Sequence, residues 1–201
     1  QVSHEYLMVE YLMNDEEMEQ SFRLKLNDAG ADISELKAGI RFSTSDIGAS
    51  KVYASVFYDA DGVRTTCNSG IALEHKGEAS PQSYAESCKQ LGMVFKESEE
   101  LIEKLGNMNI SDVAGVVQEI RENYSIFPKG ISEKVEAELR IQYPGGGTAI
   151  DVYLALNDII QRYSEENKIS PTRYLNLSEQ VAKLMHLPFE RIDQGEEWKK
   201  I

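Results

Sequence analysis

Apolar residues recur at every second position through the first part of this chain, and at every third or fourth position through the rest. Phe22, Leu24 and Leu26 alternate with Arg23 and Lys25, and Ile40 and Phe42 flank Arg41. Val52, Ala54 and Val56 repeat the pattern, with Tyr53 and Phe57 on the other face. A two-residue period places one face of an extended chain inward, so each run predicts a strand. The third run enters Asp59-Ala60-Asp61-Gly62, where Gly62 can take the positive φ of a hairpin turn. Val63, Thr65 and Cys67 continue as the partner strand, Asn68-Ser69-Gly70 breaks it, and Ile71-Ala72-Leu73 predicts a further short strand. The sum is an antiparallel meander of about four to six strands.

The rhythm changes near residue 78. Ser80-Pro81 suits a helix start, since a serine oxygen caps free amides and proline fits the first turn. Tyr84, Cys88, Leu91, Phe95, Ile102 and Leu105 then follow one helical face until Gly106-Asn107. A second helix is predicted over 111–123 on Val113, Val116, Val117 and Ile120, and a third from Ser132 on Val135 and Leu139. Tyr143-Pro144-Gly145-Gly146-Gly147 interrupts the chain as a flexible hinge. Thr148 caps a fourth helix that carries Val152, Tyr153, Leu156, Ile159, Ile160 and Tyr163. After Ser170-Pro171 a short helix is expected near 178–186. The fold class read from this pattern is α+β in a single domain over 1–201. Residues 1–78 are mainly strands; 79–201 are mainly a C-terminal set of four to five amphipathic helices.

Composition narrows the function classes. With 41% hydrophobic and 27% charged residues the chain is ordinarily globular. A net charge of −13 argues against a broad phosphate-binding face, because nonspecific nucleic-acid affinity comes from Lys and Arg. No apolar run is long enough to span a bilayer, so no membrane partner is expected and a reducing, cytoplasmic setting is the default. The chain starts at Gln1 and meets Tyr6-Leu7-Met8-Val9 almost at once, which we read as a piece lacking its upstream part. Two cysteines and the scattered His4, His75 and His186 give no ligand spacing, so neither metal nor cofactor is expected.

Four features invite chemistry, each with a plainer reading beside it. Gly145-Gly146-Gly147-Thr148 precedes a helix, but a phosphate loop needs Lys immediately before the Thr, and Gly147 stands there. Cys67 with Glu74 and His75 suggests a thiol and its base, yet Cys67 shares the parity of Val63 and Thr65 and so belongs in the core. Glu97, Glu99, Glu100 and Glu103 form an acidic run, which is either a solvated helix face or a mimic of nucleic-acid charge. Arg41, Ser43, Ser45, Asp46, Arg64, Asn68 and His75 are richer in polar groups than plain strands require. They are either solvent-facing alternates or a polar binding surface on the open sheet face, with Arg41 and Arg64 able to take a phosphate.

Gly39-Ile-Arg-Phe-Ser-Thr-Ser-Asp-Ile-Gly48 and Arg64-Thr-Thr-Cys-Asn-Ser-Gly70 resemble segments of the phage- and plasmid-like family catalogued as domain of unknown function 932. That family carries an Arg-Phe-Ser-Asn-Ser-Glu-x-Gly-like strand and then an Arg-x-x-Cys-x-Asn-Gly-like segment. Here Thr44 and Asp46 replace the Asn and the acid, and Ser69 is inserted before Gly70. The helix from Thr148 to Asn157 is similar to the family's late helix. The resemblance implies a protein of phages, plasmids or integrated elements and supplies no catalytic residues. It leads us to expect a non-enzymatic accessory protein that binds nucleic acid or a nucleic-acid-handling protein through the seven polar residues above. Two alternatives stand beside it. One is an acidic protein-interaction or inhibitor module; the other is an enzyme acting on a nucleotide or small phosphorylated ligand, which requires Arg41 and Arg64 to converge.

Overall fold

Alternation in the first part of the chain produces an antiparallel sheet. A computed structural model describes residues 6–28, 30–45, 51–67, 71–74 and 81–201. Strands β1 (Tyr6–Leu12), β2 (Leu36–Ser45), β3 (Lys51–Ala60) and β4 (Val63–Thr66) lie in that spatial order, and β5 (Ile71–Glu74) pairs with the other half of β3. All pairings are antiparallel. The β3–β4 hairpin turns on Asp61 and Gly62, both at positive φ, the backbone of a two-residue turn whose twist matches its strands. Asp61 also ties the turn down. Its carboxylate accepts from the Ser34 and Glu35 amides at 3.0 and 2.7 Å.

One strand expectation is corrected. Phe22, Leu24 and Leu26 lie on helix α1 (Glu16–Asp28), inserted between β1 and β2. Five alternating residues are too few to distinguish the periods, because Phe22 and Leu26 are also four apart and share a helix face. Both are buried, whereas Leu24 is 50% exposed. The Asp15 side chain accepts from the Met18 amide at 3.1 Å and starts the helix, and three glutamates in the first turn suit its dipole. Buried Glu19 accepts from the Ala38 amide at 2.9 Å, just past the end of the β1–β2 ladder.

The rest of the chain is helical: α2 (Pro81–Gly106), α3 (Val113–Asn123), α4 (Lys129–Gln142), α5 (Ala149–Asn167), α6 (Pro171–Lys183) and α7 (Phe189–Asp193), with a 3-10 turn at Leu184–His186. The helix expected near 178–186 begins earlier, at Pro171. Ser170 caps it by accepting from the Arg173 amide, and proline occupies the first turn. α5 is the centre of the molecule. Val152, Tyr153, Leu156 and Ile159 are sealed from solvent, and its side chains close the outer edge of β4. Gln161 accepts from the Arg64 amide and donates to the Gly62 carbonyl, both at 3.0 Å, and the Tyr153 hydroxyl donates to the Thr66 carbonyl at 2.5 Å. An edge strand covered in this way offers no free ladder to another chain.

The glycine run is tied down, in contrast to the flexible hinge expected. Gly147 and Thr148 form strand β7, which pairs with β6 (Asn109–Ile110). Asp151 accepts from the Thr148 amide at 2.7 Å and from the Tyr143 hydroxyl at 3.0 Å. At Gly146, with φ of 91°, an added Cβ would stand 2.5 Å from the Ile110 carbonyl oxygen. Gly146→Ala is expected to cost about 1–3 kcal/mol from the clash and the left-handed backbone, read as a lower urea midpoint.

At the start of α3, Asp193 accepts from the Ser111 and Asp112 amides, each at 2.9 Å, and from the Ser111 hydroxyl. Burial works to raise its pKa, but these bonds outweigh it and hold the carboxyl below its usual range. A depressed folded pKa stabilises above the unfolded value of about 3.9, and the contribution fades as pH falls through the lower folded value. Asp193→Asn is expected to remove that contribution. The difference in urea midpoint from the parent should be full at pH 6 and shrink as pH falls below about 4.

Candidate functional site

The register decides which of the polar strand residues meet. Glu10 faces Arg41, Arg41 faces Ser55, Phe57 faces Thr66 and Asp59 faces Arg64. Residues opposed across an antiparallel ladder share a face, and alternate residues on each strand share it too. Glu10, Arg41, Ser43, Ser55, Phe57, Asp59, Arg64 and Thr66 therefore lie on one side of the sheet. The other side, with Ala38, Val56 and Tyr58, packs under α1 and α2, where Phe22 meets Tyr58 with ring centres 5.3 Å apart.

Arg41 and Arg64 converge. Both guanidinium groups lie over the Phe57 ring, at 5.4 and 5.6 Å, and both bind Glu10. Arg41 Nε donates to Glu10 Oε1 at 2.7 Å and its Nη1 donates to Thr66 Oγ1 at 3.2 Å. Arg64 Nη1 donates to the other carboxylate oxygen, Oε2, and its Nε lies 3.7 Å from Asp59. Tyr174 of α6 covers Arg41, with the guanidinium carbon 5.6 Å from its ring centre. The Arg41 Nη2 stands 2.7 Å from Glu10 Oε1 but out of hydrogen-bond alignment, and it has no other partner among the described residues.

Exposure separates the two arginines. Arg41 is 1% exposed and Ser43 is also buried, so neither lies on an open sheet face. The Arg64 side chain is 40% exposed. A buried guanidinium persists only when its charge is matched and its donors are used, and Glu10 with Thr66 does most of this. The expectation of a solvent-facing polar surface is corrected at Arg41 and Ser43, because helix α6 closes over the face that the sequence pattern leaves open. Ser45 ends β2, opposite Tyr6. Asp46, Asn68 and His75 lie outside the described residues.

Cys67 is buried, and its Sγ reaches the Thr65 carbonyl at 3.8 Å. Burial pushes the thiol pKa up, opposite to what a nucleophilic cysteine needs. Cys67 is expected to resist iodoacetamide in the folded protein and to react once unfolded in urea, as peptide mapping would show. Above it lies a 560 Å³ cleft between α2 and α6, bordered by Glu97, Glu100, Lys104, Lys183 and His186. Sequence reasoning missed this cleft, since its walls come from segments some eighty residues apart and no motif links them. Its acids and lysines balance in number, which gives no preference for one sign of ligand charge.

On the acidic run, Glu97, Glu100 and Glu103 are exposed along α2 and Ser98 is buried between them. Partial burial raises the pKa of Glu99, with Glu103 adding to the rise against the pull of Lys25. Among the described residues no helix is long and apolar enough to cross a membrane, and no three metal-ligating side chains cluster. Comparison with protein-family models, with curated proteins and with solved structures finds no match to this chain.

Proposed function

We propose that this chain is a non-enzymatic accessory protein of a phage, plasmid or integrated element, acting in the cytoplasm by binding a nucleic-acid-handling protein. The observation that supports the reading is the internal pairing of Arg41 and Arg64 on Glu10. It withdraws the sheet's two arginines from phosphate binding in a chain that already carries −13. The source of the protein rests on the resemblance of the segments 39–48 and 64–70. The surface offered to a basic partner is the acidic face of α2. In a gel shift at low salt, single- and double-stranded DNA are expected to stay unshifted. Affinity capture from host cells is expected to retain a nucleic-acid-handling protein that the Glu99→Lys, Glu100→Lys variant loses. A DNA shift that weakens with salt would place nucleic acid itself as the partner, and capture indifferent to charge reversal would remove α2 from the interface.

A second reading, binding of a nucleotide or small phosphorylated ligand, is favoured by the meeting of Arg41 and Arg64 over Phe57. The half-exposed Arg64 would be the point of entry. This reading requires pyrophosphate or ATP to raise the melting temperature of the parent but not of Arg64→Ala. No shift at millimolar ligand would end it.

A further inference from the structure

We propose that β1 is a self-association edge, to which a second copy of this chain adds its own β1 antiparallel about a two-fold axis at Val9. β1 is the terminal strand of the sheet, and among the described residues no strand pairs with its outer side. Edge strands normally carry lysine, proline, a bulge or a cover that prevents pairing with another chain. On the opposite side of the sheet β4 has a cover, because Gln161 and Tyr153 of α5 occupy its backbone groups and those of its turn. Among the described residues β1 has none of these devices. Its sequence, Tyr6-Leu7-Met8-Val9-Glu10-Tyr11-Leu12, contains no lysine or proline, and it pairs with β2 one residue to one residue without a bulge. Its single charge, Glu10, is turned inward onto Arg41 and Arg64. Tyr11 and Leu12 are 61% and 57% exposed, and Val9, Ile40 and Phe42 beside them are only half-buried.

The strand's pattern favours a second copy as occupant. A two-fold axis at Val9 sets Val9 against its counterpart, Tyr11 against Leu7, Leu12 against Tyr6, and Glu10 against Met8. Every residue then meets an apolar one, and no carboxylate faces another. Moving the axis to Glu10 would oppose two glutamates, which destabilises a ladder. The net charge of −13 opposes self-association over the surface as a whole, but the only charge of β1 is already paired with two arginines, so this edge adds no repulsion of its own. Closed two-fold pairing of this kind extends the sheet and stops, without opening a route to filaments.

Sedimentation equilibrium at about 50 µM, where micromolar association is visible, is expected to give twice the 22.6 kDa chain mass. Raising the salt should tighten the dimer by screening the net charge. Tyr11→Lys is expected to yield a monomer with unchanged circular dichroism. Facing Cα atoms of an antiparallel pair lie about 4.5–5.5 Å apart, within disulfide reach, so Val9→Cys should cross-link to a covalent dimer under mild oxidation. Glu35→Cys, outside the strand, should not. A monomeric parent at that concentration would overturn the proposal. So would a dimer that survives Tyr11→Lys, or a dimer in which Val9→Cys fails to cross-link.

Discussion

Glu10→Ala is expected to cost about 3 kcal/mol of folding stability, because it strands the buried Arg41 cation without its counter-charge. In a chain of this size that corresponds to a fall of roughly 6–12 °C in Tm. The physical cause is an asymmetry. Forming a buried pair gains little over water, but breaking it leaves a desolvated charge with no partner. Arg41 has almost no surface through which water could replace the lost carboxylate. Arg64→Ala removes the other arginine on the same Glu10, yet its half-exposed side chain limits the loss to about 1 kcal/mol or less. Replacing the pair by apolar residues of similar volume, Glu10→Leu with Arg41→Met, should recover most of the loss of the single variant. Urea denaturation of the four proteins checks the order, with the Glu10→Ala midpoint lowest.

Leu156→Ala is expected to weaken sheet and helices together, by roughly 3 kcal/mol, the loss typical of a cavity at a fully packed leucine. Leu156 is sealed within one continuous cluster of buried residues that runs from Phe22, Val56 and Tyr58 through α5 to Val181 and Phe189. α5 also supplies the polar groups that finish β4, so loosening it removes both packing and edge cover. Fluorescence of Trp198, stacked on Tyr124 in the helical part, reports one half, and amide exchange at Val56 and Phe57 reports the other. Both unfolding midpoints should fall by the same amount. A lower midpoint for Trp198 alone would mean that the two halves are separate cooperative units.

Where a residue type forces a local geometry, the sequence was enough. Asp61-Gly62 announces its hairpin because few other pairs tolerate two positive φ values. Gly106 ends α2, and Thr148 opens α5 as its neighbours suggest. Residues 22–26 fit both periods within a five-residue window, and only the depth of burial at Phe22 and Leu26 separates them. The arginine cluster was half legible. Arg41 and Arg64 stand out as polar residues within strands, but which sheet face each occupies depends on register through an intervening strand. Their shared partner, Glu10, lies 31 residues before Arg41 on a strand separated from it by a helix. The cover over them, Tyr174, comes from a helix more than a hundred residues later, and no local signal in the strands announces it.

Whether the sheet's arginines serve the scaffold is tested most directly by a double-mutant cycle on Glu10→Ala and Arg41→Ala. If the two side chains hold each other inside the fold, the double variant will be more stable than the summed single losses allow, by about 2 kcal/mol. Losses that add to within about 0.5 kcal/mol would mean two independent groups, and would return Arg41 to the set of residues free to bind a ligand.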